Sequence, residues 1–298
     1  MKPIFLLLCG MSILGAQQIT PEDQQRVDAA LPSKAPAKPA KARRLLVVTL
    51  AKVNDRVVRG HPSIPAANYA LEQMGKRTGA FEAVFSNDLE MFRPDKLKQF
   101  DAVCFNNSQG VLWDDAELKQ SLLDFVRGGH GLIGFHAAIS TFVQHPVYDQ
   151  WPAFGRMLGG TENGGHPWGP TDTYTFKVDD PKSPLTAVFH GKGFEVTDEV
   201  NQLQEPALRE HLRVLLSMNM AKSKPTHSVL PIRQQDLDFP LTWIRNEEKG
   251  RVFCSAIGHV PNVFWNASLL EHFLAGIQFA LGDLKADATP SARVAINR

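Results

Sequence analysis

Apolar strand-like segments alternate with helix-like segments from about residue 44 onward, and this order leaves few folds open. The first strand-like segment, residues 45–50, is followed by a helical pattern over residues 65–77 and by a strand-like segment at 81–85. These strand-like segments are apolar throughout, which is typical of parallel strands that are buried on both faces. We therefore expect an α/β fold with a mostly parallel sheet that is flanked by helices.

The alternation continues to about residue 285. Further strands are predicted at 101–106, 132–135, 174–178, 214–218, 241–245 and 251–257, and further helices at 114–127 and 269–281. Asp114 and Asp115 suit the start of a helix, and Gly128 suits its end. Residues 221–238 are predicted to form a long loop. The folded domain is therefore expected over residues 44–285, with a C-terminal tail at residues 286–298.

The N-terminal region predicts export. Lys2 precedes an apolar stretch that ends at Ala16, and this stretch is too short to cross a bilayer, which is typical of a secretory signal peptide. Residues 1–16 are therefore predicted to be a signal peptide, and the protein is expected in the periplasm or outside the cell. Residues 17–43 are rich in Pro, Ala and Lys, a composition that predicts a disordered tether.

Composition excludes several classes of protein. The chain has 32 Lys and Arg residues against 31 Asp and Glu residues, and 43% of its residues are hydrophobic. A nucleic-acid binder that relies on positive charge and a disordered chain are therefore both excluded. No membrane span is expected beyond the signal peptide. The sequence has no phosphate-binding glycine loop and no serine elbow, so nucleotide-dependent chemistry and serine hydrolysis are not supported.

The two cysteines of the predicted domain, Cys104 and Cys254, lie inside strand-like apolar segments. Cysteines in such segments usually act as small buried hydrophobic residues, so neither is expected to be a nucleophile. A disulfide between them is permitted in an oxidising compartment, but the sequence does not give their separation.

Polar residues follow several of the predicted strands. Asn106 and Asn107 follow one strand, His136 follows another and His259 follows a third. Ligands of open α/β sheets bind beyond the carboxyl ends of the strands, so we expect these residues at the functional site.

His136 is the most informative of these residues. It stands in Gly134-Phe135-His136-Ala137-Ala138, which predicts a strand that runs into a sharp turn with small neighbours, as at a nucleophile elbow. An imidazole there can act as a base, a metal ligand or a hydrogen-bond donor. The alternative is a histidine that is packed at a helix start. Glu199 can orient an imidazole or act as an acid or base, and its alternative role is a helix or turn cap.

His61, His166 and His259 each follow a glycine, and none belongs to a closely spaced metal-binding motif. A zinc site would therefore require distant loops to converge, with His136, His166 and His259 as the candidate ligands. Trp168 can offer a flat face to a sugar ring or simply fill a core. His272 lies in the apolar C-terminal helix, where a structural role is favoured.

Several of these segments together resemble the ThuA-like (trehalose utilisation) family. The resemblance covers about residues 44–284 and rests on segments that keep their order along the chain, namely Gly60-His61, Phe105-Asn106-Asn107, residues 131–138, Leu158-Gly159-Gly160, His166-Pro167-Trp168, Asp198-Glu199 and Gly258-His259. It implies a flavodoxin-like fold similar to that of class I glutamine amidotransferases. It also implies a role in sugar metabolism, with the polar cluster as a carbohydrate or keto-sugar site.

The elbow that holds a cysteine in the amidotransferases holds His136 in this chain. The thiolate that would form a glutamyl thioester is therefore absent from this position, and glutamine amidotransferase activity is not expected.

The main functional hypothesis is an exported enzyme that acts on a saccharide or keto-sugar as a hydrolase, lyase or isomerase. In this hypothesis His136 and Glu199 form the acid/base pair. The predicted substrate-binding residues are His61, Asn106, Asn107, His166, Trp168 and His259. Two alternatives stay open, a non-catalytic carbohydrate-binding protein on an enzyme-like fold and a metal-dependent hydrolase. The sequence gives no oligomeric state.

Overall fold

The computed structural model describes residues 18–144, 149–169, 172–205, 208–223, 232–233 and 237–293. The predicted signal peptide at residues 1–16 lies outside the described residues, as do most of the predicted loop at 221–238 and the end of the C-terminal tail. Within these ranges, no helix combines the length and the apolar composition that a membrane span needs.

The described strands and α-helices alternate up to about residue 172, where five successive strands begin, and one further α-helix follows them. The strands are β1 (Arg44–Val48), β2 (Lys52–Val53), β3 (Arg56–Val57), β4 (Glu82–Phe85), β5 (Ala102–Asn106), β6 (Gly131–Phe135), β7 (Asp172–Val178), β8 (Phe194–Asp198), β9 (Arg213–Met218), β10 (Pro240–Glu247) and β11 (Gly250–Ser255). The α-helices are α1 (Pro21–Ala30), α2 (Ile64–Thr78), α3 (Pro94–Leu97), α4 (Ala116–Arg127), α5 (Pro152–Leu158) and α6 (Ala267–Leu281).

One nine-stranded sheet, in the order β4-β1-β5-β6-β11-β10-β9-β7-β8, forms the centre of the fold. The pairs from β4 to β11 are parallel, and the pairs from β11 to β8 are antiparallel. Along this sheet β10 and β7 therefore run against β1, and the other strands run with it. The prediction of an α/β fold with a mostly parallel sheet is confirmed.

Helices cover both faces of the sheet. Buried side chains of α1, α2 and α6 belong to one hydrophobic cluster, which includes Leu71 and Phe273. Buried side chains of α4 and α5 belong to a second cluster, which includes Leu122 and Phe154. Because each face is covered, β5, β6 and β9 are buried along their whole length, which explains their mostly apolar sequence.

The segment predicted to be a disordered tether folds onto the domain instead. Thr20 caps α1 by accepting a hydrogen bond from the backbone of Asp23, and Val27 is fully buried. Farther along, the side-chain amide of Gln278 exchanges two hydrogen bonds with the backbone of Ala37, at 2.9 and 2.7 Å. The prediction was wrong for the described residues because the contacts with α2 and α6 are tertiary, and local composition does not reveal them.

The two buried cysteines lie on opposite faces of the sheet. Cys104 of β5 is paired with Ile133 of β6, and Cys254 of β11 is paired with Gly134, the next residue of β6. Neighbouring residues of a strand point to opposite faces, so the two thiols are separated by the sheet itself. Both cysteines are free, and this placement rules out a disulfide between them.

Candidate active site

A cleft of about 270 Å³ lies beyond the carboxyl ends of β6 and β11. Most of the predicted site residues line it, namely His61, His136, His166, Glu199 and His259. His136 follows β6 directly, and His259 follows β11 after a short turn. The cleft therefore lies where the rule for ligands of open α/β sheets places a binding site.

His136 occupies a sharp turn between β6 and a short 3-10 helix. Its φ of 45° lies in the left-handed region, a strained conformation for a residue with a side chain. Small neighbours make room for this turn, because a Cβ on Gly134 would lie 3.0 Å from the Cβ of Ala138. The imidazole is only 1% exposed, and its Nδ1 lies 3.3 Å from the carbonyl oxygen of Ala256. A carbonyl accepts, so Nδ1 carries the proton and Nε2 presents a lone pair.

His259 is held by a carboxylate that contacts its backbone. Asp198, at the end of β8, accepts hydrogen bonds from the backbone N–H groups of Gly258, His259 and Val260 at 2.7, 2.9 and 3.2 Å. Burial raises the pKa of Asp198 to about 7, although backbone N–H groups such as that of Gly258 act to lower it. Asp198 thus fixes the turn from which the His259 side chain projects.

Glu199 contacts three imidazoles. Its Oε1 lies 3.8 Å from His136 Nε2, and its Oε2 lies 3.2 Å from His259 Nδ1 and 3.4 Å from His166 Nε2. The side-chain amide of Asn201 donates a further hydrogen bond to Oε1 at 3.1 Å. Burial raises the pKa of Glu199, while the nearby His166 and Asn201 lower it. The carboxylate is therefore placed to exchange a proton with an imidazole or with a bound molecule.

His166 is the most exposed imidazole in contact with Glu199, with 34% of its side chain accessible to solvent. Its Nδ1 donates to the carbonyl oxygen of Trp168. Its Nε2 faces the Glu199 carboxylate at 3.4 Å, at the open side of the cleft.

His61 approaches the other two buried rings from the loop before α2. The ring centroid of His61 lies 4.7 Å from that of His136 and 5.2 Å from that of His259. Burial, together with the nearby His259, lowers the pKa of His61 to about 4. Burial is also the main cause that lowers the pKa of His136 and that of His259. The three rings are therefore neutral near pH 7.

Three predicted site residues do not reach the cleft. Asn106 and Asn107 are fully buried, and they bond to each other at 2.9 Å, while Asn106 also donates to Asn68 at 2.8 Å. Trp168 is 3% exposed, and its ring packs 5.1 Å from that of Phe239. The structure therefore contradicts the prediction that these three side chains contact a sugar, because each is buried and packs or forms hydrogen bonds in the interior.

Sequence reasoning missed several residues that line the cleft, namely Lys52, Gln109, Glu162 and Asn201. Lys52 belongs to the β2–β3 hairpin, and its ammonium group donates to the carbonyl oxygen of Leu112 at 2.6 Å. The position of Asn201, two residues after Glu199, was the one local signal that could have identified it. For Lys52 we find no signal in the sequence, because a hairpin brings it to the cleft.

Comparisons with known proteins agree with this architecture. The chain matches the family model described as trehalose utilisation, ThuA, over residues 47–280. It is similar to a ThuA-like protein from Bacteroides uniformis, with 19% identity, a TM-score of 0.63, and coverage of 87% of this chain and 99% of that chain. A ThuA-like protein from Parabacteroides merdae gives 17% identity, a TM-score of 0.56, and coverage of 83% and 93%. No curated protein matches the chain significantly.

The fold and the cleft define an α/β protein whose histidine and carboxylate cluster lies at the carboxyl ends of parallel strands. At these identities the solved structures support the fold alone, whereas the family model spans most of the chain. The chain belongs to the ThuA family, as the resemblance in the sequence predicted. Membership of this trehalose-utilisation family supports a sugar-related role.

Proposed function

We propose that the protein is an enzyme that performs acid–base chemistry on a saccharide or keto-sugar bound in the cleft. The observation that supports this most is the position of Glu199, whose carboxylate oxygens lie 3.2 to 3.8 Å from the ring nitrogens of three histidines. Family membership supports the class of substrate. Export from the cytoplasm belongs to the same proposal.

Glu199 is the group that transfers the proton. Burial raises its pKa, which brings a carboxylic acid closer to the range where it can both give and take a proton. His166 Nε2 lies 3.4 Å from Glu199 and is open to the cleft, so in this proposal it is the imidazole that reaches the substrate. His136 is almost fully buried, so in this proposal it lies behind Glu199, and the acid/base role expected for it from the sequence passes to His166.

The same geometry argues against glutamine amidotransferase chemistry. The elbow presents the imidazole of His136, and Cys104 and Cys254 are fully buried within β5 and β11. Burial raises the pKa of both thiols, which removes the thiolate that a nucleophile needs.

The test uses the purified protein with a panel of mono- and disaccharides and their keto derivatives in D₂O. Calorimetry measures binding, and NMR measures product formation and deuterium incorporation into the sugar. We expect the wild-type protein to bind and convert at least one member of the panel, and Glu199→Gln to bind it with at least 100-fold slower conversion, the range of a lost acid–base group.

Glu195→Gln is the matched control, because Glu195 is an exposed carboxylate on the same strand, β8. It is expected to retain wild-type activity. Saturable binding by the wild-type protein with no conversion of any sugar would overturn the enzyme proposal and favour the non-catalytic carbohydrate-binding protein.

A further inference from the structure

Three imidazoles face one another at the inner end of the cleft. His61, His136 and His259 each offer one ring nitrogen, and these nitrogens all lie within 4.8 Å of one another. The rings meet nearly at right angles, with interplanar angles of 87°, 82° and 80°. Edges that converge from three directions resemble a ligand set more than a stacked aromatic cluster.

One ring nitrogen of this group lacks a hydrogen-bond partner. His61 Nδ1 is buried and has no hydrogen-bond partner among the described residues. His136 Nε2 and His259 Nδ1 lie 3.2 Å apart, so at most one of these two nitrogens can hold a proton between them. A buried polar atom without a partner costs about 1 to 3 kcal/mol. A cation that His61 binds through Nδ1 would remove that cost.

We propose that His61, His136 and His259 bind one divalent transition-metal ion of the zinc class. Zinc takes imidazole ligands at about 2.0 to 2.1 Å in a tetrahedral arrangement, which places neighbouring ligand nitrogens about 3.4 Å apart. The separation of 3.2 Å between His136 Nε2 and His259 Nδ1 agrees with that spacing. Three protein ligands leave the fourth position open, as in catalytic zinc sites.

The surroundings of the three rings suit metal ligands. The carbonyl oxygen of Ala256 lies 3.3 Å from His136 Nδ1, which directs the Nε2 lone pair into the cluster. Asp198 fixes the backbone that holds His259. Outer contacts of this kind set the tautomer and orientation of metal-binding histidines in other proteins. When a metal is bound, His259 would hold its proton on Nε2 so that Nδ1 is free to coordinate.

This set differs from the one predicted from sequence. His166 was a candidate ligand together with His136 and His259, but the structure places His166 outside the converging group and His61 within it. Glu199 lies 3.2 Å from His259 Nδ1. With a metal held by the three rings, it would be placed to accept a proton from a water molecule or sugar hydroxyl in the cleft. The metal site is inferred from the three rings alone, whereas this catalytic role of Glu199 rests on the proposed function.

The test measures zinc binding directly. Full-length protein is stripped with a chelator, dialysed and titrated calorimetrically with zinc chloride, and protein purified without chelator is assayed for metal by mass spectrometry. We expect one zinc ion per chain. His61→Ala, His136→Ala and His259→Ala should each weaken zinc binding by at least about 100-fold, beyond the 10- to 100-fold effect of outer contacts. His166→Ala is the matched control and should change affinity by less than about threefold.

Circular dichroism and thermal unfolding show whether each variant is folded. If His136→Ala does not fold, His61→Ala decides the question, because His61 lies in a loop and is only half-buried. Zinc should raise the melting temperature of the wild-type protein and of His166→Ala but not that of His61→Ala, because only a bound ligand stabilises the native state. Absence of saturable zinc binding, or equal losses in His61→Ala and His166→Ala, would overturn the metal site.

The outcomes also separate this inference from the proposed function. Zinc binding with no conversion of any sugar would leave the metal site intact and contradict the enzyme proposal. Full activity in metal-free protein, together with no zinc binding, would support the enzyme proposal and contradict the metal site.

Discussion

The carboxylate of Asp198 holds the backbone of His259, whose N–H group donates to Asp198 Oδ1 at 2.9 Å. The other carboxylate oxygen, Oδ2, accepts from the N–H group of Gly258 at 2.7 Å. Through these two bonds the end of β8 is joined to the turn after β11. These elements lie far apart in the sheet order, so Asp198 fixes a relationship that strand pairing does not provide.

Asp198→Asn is expected to lower both stability and activity. An amide offers one acceptor oxygen, and its NH₂ group would face a backbone N–H that the carboxylate now accepts. One unsatisfied buried group costs about 1 to 3 kcal/mol in the free energy of unfolding. Urea denaturation measures this loss, and zinc titration measures the effect on His259. Glu195→Gln on the same strand controls for a change of charge and should behave as wild type.

Gly258→Ala is expected to disturb the same turn by strain. Gly258 has a φ of 127°, and a Cβ there would lie 3.1 Å from the ring of Phe264. We expect the free energy of unfolding to fall by about 3 kcal/mol, because this backbone region is nearly restricted to glycine. We also expect weaker zinc binding. Gly79→Ala serves for comparison, since Gly79 has a φ of 65° with nothing within 4 Å. The free energy of unfolding of Gly79→Ala should fall by about 1 to 2 kcal/mol, and its zinc affinity should match that of the wild type. Equal zinc affinities in both variants would contradict this account.

His272 is expected to make stability depend on acid pH. It is fully buried, bonds to Leu185 and Thr242, and burial lowers its pKa to about 4 from 6.5. Between these two values the unfolded chain binds the proton more readily, so the free energy of unfolding falls as the pH falls from 6.5 toward 4. In His272→Gln the change in the free energy of unfolding with pH should be smaller by up to about 1.4 kcal/mol per pH unit in this range. Above pH 7 the wild-type protein and the variant should show the same slope.

Asp198 contributes with the opposite sign, since its raised pKa favours the folded state as the pH falls. It is present in both proteins, so its effect cancels in the comparison. Parallel urea-unfolding curves of the two proteins across pH 4 to 8 provide the measurement. Identical slopes below pH 6.5 would show that His272 does not resist protonation in the folded state.

Cys104 and Cys254 are expected to remain reduced without any reductant. A Cys9→Ser chain, in which these are the two cysteines, should react with a thiol reagent only after unfolding, because both thiols are fully buried. Two equivalents of thiol per chain are expected in guanidinium chloride under air-free conditions. A value near zero would mean that the two cysteines are paired, contrary to their positions on opposite faces of the sheet.

Much of the fold follows from local sequence because the interior strands are buried on both faces. The segments 102–105 of β5 and 131–135 of β6 are apolar without interruption, and α4 is capped by Asp115, whose side chain accepts from the backbone N–H groups of Glu117 and Leu118. β8 was missed because its burial alternates along an edge strand of five residues. The helix α1 was missed because its stability comes from packing against distant helices.

The site was predictable only in part. His136 could be identified because a strand, a sharp turn and small neighbours occur together in the sequence. The rule that polar residues after strands contact ligands failed for Asn107, whose φ of 55° turns the chain and whose side chain bonds to Asn106 in the interior. The convergence of His61 with His136 and His259 depends on three loops, and no local pattern encodes that distance.

The order of the strands also affects how the protein is made. His136 and His259 belong to turns that follow adjacent strands, yet 123 residues separate them along the chain. Contacts between such distant residues carry a loop-closure cost that slows folding. On a ribosome, which adds residues one by one from the N-terminus, β11 is synthesised after the other described strands, so the growing polypeptide cannot assemble the histidine cluster before residue 259 has been added.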